Sequence, residues 1–98
     1  MDIIKTKNES ALDIALVGRL DTTTAPELEA SIKESIDGVD AFSLDFAKLD
    51  YISSAGLRVL LAAQKIMNKQ GSMVVKGSND SIKEVFEITG FSDILTLE

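Results

Sequence analysis

Three times between Ala25 and Thr89 the apolar residues recur at helical spacing, and each time a short run that fits a strand follows. Helices that alternate with strands call for right-handed crossovers, so the later strands are expected to lie largely parallel in one sheet. In the first helical stretch Ala25, Leu28, Ile32 and Ile36 make one face and Glu27, Glu29, Lys33 and Glu34 the other. Thr24-Ala25-Pro26-Glu27 before it has the form of a capping box, with Pro26 tolerated in the first turn. Ser81-Ile82-Lys83-Glu84 has the same form and opens a stripe of Ile82, Val85, Phe86 and Thr89 that Gly90 ends. The middle helix, Ser54 to Gln70, is apolar over much of its circumference and stops at Gly71, which predicts the most buried of the three.

The strands are read from shorter signals. Ala11 to Val17 is nearly continuous apolar sequence, which predicts a strand covered on both faces, and Ile3 to Lys7 before it reads as a more polar edge. Asn8-Glu9-Ser10 supplies the turn of an opening hairpin. Phe42 to Phe46 alternates strictly and is a third strand; Ser72 to Lys76 and Ile94 to Leu97 are a fourth and fifth. No composition shift, proline-rich linker or repeat divides residues 1–98, so one domain is expected. The order β-β-α-β-α-β-α-β predicts an α/β fold: a mixed sheet with an antiparallel edge hairpin and helices mainly on one side.

Composition narrows the chemistry. With no cysteine and no histidine, the chain lacks disulfides, thiolate metal sites, the commonest metal ligand and the usual general base at neutral pH. Its longest apolar run is five residues, Val59 to Ala63, and its first residues do not pair a basic segment with a hydrophobic one, so neither a membrane span nor a secretory signal is expected. Sixteen acidic residues against 10 basic ones give a net charge of -6, which disfavours nucleic acid as a partner.

The most informative segment is Leu49 to Arg58, which leads from the third strand into the middle helix. Loops at the carboxyl ends of strands are where ligands and partners meet open α/β sheets. A helix start presents unpaired N–H groups and about half a positive charge, a setting suited to phosphate. The other helices place Glu27 and Glu84 in that field. The middle helix has no acid at all from Ser54 to Gln70, where proportional sharing predicts about three; its charges are Arg58, Lys65 and Lys69. This pattern fits a helix end kept free for an anion attached at Ser53 or Ser54. It equally fits a serine that caps the helix and a Gly56 that eases close packing. Ile52-Ser53-Ser54-Ala55-Gly56 half-matches a nucleophile elbow, but without histidine no Ser-His-acid triad is possible and neither serine belongs to a Ser-x-x-Lys set.

Tyr51-Ile52-Ser53-Ser54-Ala55-Gly56-Leu57-Arg58-Val59-Leu60, with Gly18-Arg19-Leu20-Asp21 before it and Phe86-Glu87-Ile88-Thr89-Gly90-Phe91 after it, resembles the STAS domains of bacterial anti-sigma factor antagonists. The likeness covers nearly the whole chain. It implies that Ser54 is the serine phosphorylated by a partner, an anti-sigma factor that doubles as an ATP-dependent serine kinase, with Ser53 the second choice. Ala55 stands where a second hydroxyl residue often lies, and Ser53 where many members carry aspartate. Asp21 matches an aspartate associated with partner or kinase contact; by itself it reads as an ordinary loop acid beside Thr22-Thr23-Thr24.

The resemblance therefore implies a cytoplasmic partner-switching module. Unphosphorylated, it would bind the anti-sigma kinase through Asp21, Ser53, Ser54, Ala55, Gly56 and Arg58 and so release a sigma factor; a metal-dependent serine phosphatase would reverse the phosphorylation. No cofactor, no resident metal and no catalytic residue of its own are expected. The alternative within the same family is a STAS subunit with a non-transcriptional output, such as a transporter-associated one. A nucleotide-binding domain or enzyme is disfavoured by the lack of a P-loop, a metal-ligand cluster and a general base.

Overall fold

The computed structural model describes residues 1–98. Strands β1 (Asp2–Asn8) and β2 (Ala11–Leu20) form the opening hairpin, followed by α1 (Ala25–Ser35), β3 (Ala41–Ile52), α2 (Ser54–Gln70), β4 (Ser72–Lys76), α3 (Asp80–Thr89), a single 3-10 turn at Phe91–Asp93 and β5 (Thr96–Leu97). The five strands lie in chain order; β1 is antiparallel to β2 and every later pairing is parallel. The expected mixed sheet with an antiparallel edge hairpin is thus observed, and β1 is the exposed edge.

All three helices pack on one face. Leu12, Ile14 and Leu16 of β2, Phe42, Leu44 and Phe46 of β3, and Met73 and Val75 of β4 join Leu28, Ile32, Leu60, Met67, Ile82 and Phe86 in one core. Burying a side chain of this kind contributes about 1.5–3 kcal/mol, and that drive orders the strands beneath the helices. Between these residues stand Ala11, Asp13, Ser43 and Asp45 on the other face, exposed or half-buried. Here the structure corrects one expectation: β2 is covered on one face only, because no helix crosses the far side and its outward Ala11, Ala15 and Val17 remain partly open. Of the helices, α2 buries the largest share of its residues, as its composition predicts.

Two further corrections concern helix starts. Thr24 makes no side-chain cap to α1; its hydroxyl donates instead to the Arg19 carbonyl at 2.8 Å. Ser81 lies inside α3, and Asn79 is the cap, its Oδ1 accepting the Ile82 N–H at 2.9 Å. Gly90 ends α3 in the left-handed region as expected (φ 81°). Strand ends differ as well. The expected fifth strand from Ile94 begins only at Thr96, since the 3-10 turn carries hydrogen bonds from the N–H groups of Ile94 and Leu95 back to Phe91. β3 runs six residues past Phe46, to Ile52, and so supplies the platform for the site.

Candidate functional site

The long β3 holds two irregularities. Ala15 pairs with Asp45 but Val17 with Lys48, and Gly18 pairs with Leu49 but Arg19 with Tyr51, so β3 carries an extra residue at each step. Bulges of this kind bend and twist a strand. The first is held by Asp45, whose Oδ1 accepts the Ala47 N–H at 2.9 Å. Their effect is to bring Ile52 into the core while Tyr51 faces solvent opposite Arg19, whose guanidinium sits 4.2 Å from the ring centroid. Such a cation–π contact is worth about 0.5–1 kcal/mol at an exposed site.

One residue separates β3 from α2. Ser53 is extended (φ -100°, ψ 175°), its N–H donates to the Leu20 carbonyl at 2.9 Å and its hydroxyl accepts the Gly56 N–H at 3.4 Å. Ser53 is therefore the helix cap, although the bond is long. Ser54 is the first helical residue, exposed, and its hydroxyl is engaged by no other group of the chain. Of the two serines, Ser53 takes the capping contact and Ser54 leaves its hydroxyl free. Ala55 is half-buried and Gly56 is buried; a β-carbon on Gly56 would stand 2.7 Å from Leu20 Cγ and 2.9 Å from Ile52 Cγ1. Arg58 is exposed one turn further on. It lines, with Thr22, Pro26, Ala55 and Val59, a shallow groove of about 210 Å³ between the starts of α1 and α2.

Asp21 follows Leu20, so it lies at the same end of the sheet as Ser53. Its Oδ1 accepts the backbone N–H groups of Thr23 (3.0 Å) and Thr24 (3.1 Å), and its own N–H donates to the Thr24 hydroxyl at 2.8 Å. Arg19 Nε stands 3.8 Å from its Oδ2. The Thr24 N–H chiefly, then those of Thr23 and the Thr24 hydroxyl and the Arg19 charge, hold its carboxyl below the usual range against a partial desolvation that acts the other way. Asp21 therefore organises the entry to α1, the work expected of the Thr24–Glu27 capping box. The six candidate residues fall together at the carboxyl ends of β2 and β3.

Two contributors escape the sequence. The Arg19–Tyr51 stack depends on β2 and β3 both running past the points where their apolar patterns fade. Asn79 Nδ2 donates to the Leu49 carbonyl at 3.2 Å, tying α3 to the bulged stretch of β3. The residues present form no cluster of three or more carboxylate, imidazole or thiol groups able to hold a metal ion, and no helix is long and apolar enough to cross a membrane.

This geometry has known counterparts. The STAS domain family matches residues 2–98. BtrV of Bordetella bronchiseptica, assigned as an anti-sigma factor antagonist, is 40% identical over 96 residues, covering 96% of this chain and 83% of BtrV. The anti-sigma-B factor antagonist of Listeria monocytogenes is 31% identical over 98 residues, 97% of this chain and 85% of that protein. Among solved structures, the phosphorylated form of the Bacillus cell fate determinant SpoIIAA superposes with a TM-score of 0.78 at 18% identity, covering 99% of this chain and 91% of that one, a likeness of fold. The chain belongs to the STAS-domain family of anti-sigma factor antagonists.

Proposed function

We propose that this chain is a cytoplasmic partner switch controlled by phosphorylation of Ser54. Unphosphorylated, it binds an anti-sigma factor that is also a serine kinase and thereby frees a sigma factor. The kinase transfers the γ-phosphoryl group of ATP to Ser54 Oγ; the hydroxyl proton passes to a base on the kinase and ADP leaves. A metal-dependent serine phosphatase hydrolyses the phosphoserine and restores binding. The chain itself supplies a hydroxyl and a surface, and the chemistry belongs to its partners.

The observation that carries this reading is the exposed, unengaged Ser54 hydroxyl on the first residue of a helix with no acid in its first turn. A phosphate there carries a charge of roughly -1.5 to -2 and finds backbone N–H groups and a favourable dipole beside it, so the folded domain tolerates it. A partner that must cover it meets a dianion to desolvate, which costs several kcal/mol without a matching cation. A loss of about 4 kcal/mol already weakens binding nearly a thousandfold, with no refolding.

Incubation with the cognate kinase and ATP, followed by peptide mass spectrometry, tests the assignment. One phosphate on Ser54, absent from Ser54→Ala, is expected. Phosphate on Ser53, or undiminished labelling of Ser54→Ala, refutes it.

A further inference from the structure

The cations of α2 make no ion pair within the fold. Arg58, Lys65 and Lys69, with Ala62 between the first two, follow the i, i+4, i+7, i+11 series that traces one side of a helix, and all four are exposed. Ser54, one turn before Arg58, begins the same stripe. The ion pairs of the chain engage Lys5, Arg19 and Lys33, none of them on α2. Glu29 borders the groove that Arg58 lines, yet its carboxylate is 3.4 Å from Lys33 Nζ. The helix dipole accounts for Lys69, in the last turn, but not for Arg58, near the other end. In a chain with 16 acids and 10 bases, an unpaired row of three cations without one acid among them is a patch of opposite sign to the whole.

We infer that this stripe is a docking surface for an acidic segment of the protein partner, an inference that rests on the partner-switching reading above. The apolar part of the footprint lies alongside: Val59, Ala62 and Ile66 line a second, smaller groove between α1 and α2, with Glu29 and Lys33 on its α1 side. The occupant is thus an amphipathic protein segment with carboxylates over α2 and apolar side chains over the groove. The net charge of -6 opposes a nucleic acid as occupant. The same surface gives the switch its polarity. Phosphate on Ser54 stands one helical turn from Arg58, where it both draws that cation away and repels the acidic segment.

Calorimetric titration of the full chain with the purified cognate anti-sigma factor kinase, at low and high salt, tests the stripe. Lys65→Glu with Lys69→Glu should weaken binding roughly tenfold per reversal at low salt, Lys65→Gln with Lys69→Gln less, and the differences should shrink as salt screens them. Thermal melts should show the fold retained, with only a small drop for the double reversal because the helix dipole disfavours an acid at the end of α2, and Lys83→Glu, a single charge reversal on α3, should leave affinity unchanged. Wild-type binding that the double reversal leaves intact, or that Lys83→Glu weakens equally, overturns the stripe alone. Unchanged kinase affinity with lost retention on anionic lipid vesicles overturns it in favour of a lipid surface. A wild type that does not bind the kinase overturns the partner-switching reading and the stripe with it.

Discussion

Gly56 lies against Leu20, with room for a hydrogen but not for a methyl group: a β-carbon there would approach Leu20 Cγ to 2.7 Å. The contact joins the start of α2 to the end of β2. Ser53, Ser54 and Ala55 immediately precede it, so it fixes how they stand above the strand ends.

Gly56→Val should therefore lower stability by about 1–3 kcal/mol, the usual cost of overpacking a filled site, while Ala55→Ser should stay within about 0.5 kcal/mol. Denaturant midpoints measure both, and equal midpoints would remove the packing role from Gly56.

Asn79 has two duties, as cap of α3 and as donor to the Leu49 carbonyl. Asn79→Ala should cost about 1–2 kcal/mol, against less than about 0.5 kcal/mol for Ser81→Ala. The order of the two in chemical unfolding decides which residue begins the helix.

That contrast also shows what the sequence could and could not convey. α2 was legible at both ends because a pair of serines opens it and Gly71 closes it, and the middle helix runs over the residues its pattern predicts. The two capping boxes were matched in form only: the Thr24 hydroxyl meets the Arg19 carbonyl, a contact set by where β2 ends, and Asn79 precedes Ser81 with a better-placed acceptor. β3 was readable as far as Phe46. Beyond it the two bulges set the buried residues three apart, at Phe46, Leu49 and Ile52, a spacing that matches neither the strand nor the helix period. The far side of β2 misled for a simpler reason, since apolar residues there are small and need no cover. Of the site, the helix start and its serines could be read locally, whereas the Arg19–Tyr51 stack required the register of two strands.

Asp21 gives a pH dependence with a definite sign. Its folded-state carboxyl titrates below the ordinary value of 3.8, so its contribution to stability is complete above that value and is lost as pH falls through the lower, folded one. Asp21→Ala should be less stable than wild type at neutral pH, and the gap should narrow in strong acid. Urea midpoints followed across pH show this; a gap that is constant, or that widens in acid, would mean the carboxylate charge does not organise the Thr23–Thr24 turn.

In the proposed switch, phosphorylation acts by local electrostatic exclusion at the start of α2. Ser54→Asp isolates that effect, since an exposed carboxylate at a helix start gains about 0.3–1 kcal/mol from the dipole while the partner must desolvate it. Calorimetric titration of wild type, Ser54→Ala and Ser54→Asp with the cognate kinase, beside thermal melts of all three, is the direct measurement. Ser54→Asp should melt at or above wild type and lose most of its affinity, while Ser54→Ala keeps both. Ser54→Asp that binds as tightly as Ser54→Ala, with all three melting alike, would contradict exclusion at this site; Ser54→Asp that melts far lower would mean instead that phosphate acts by changing the fold.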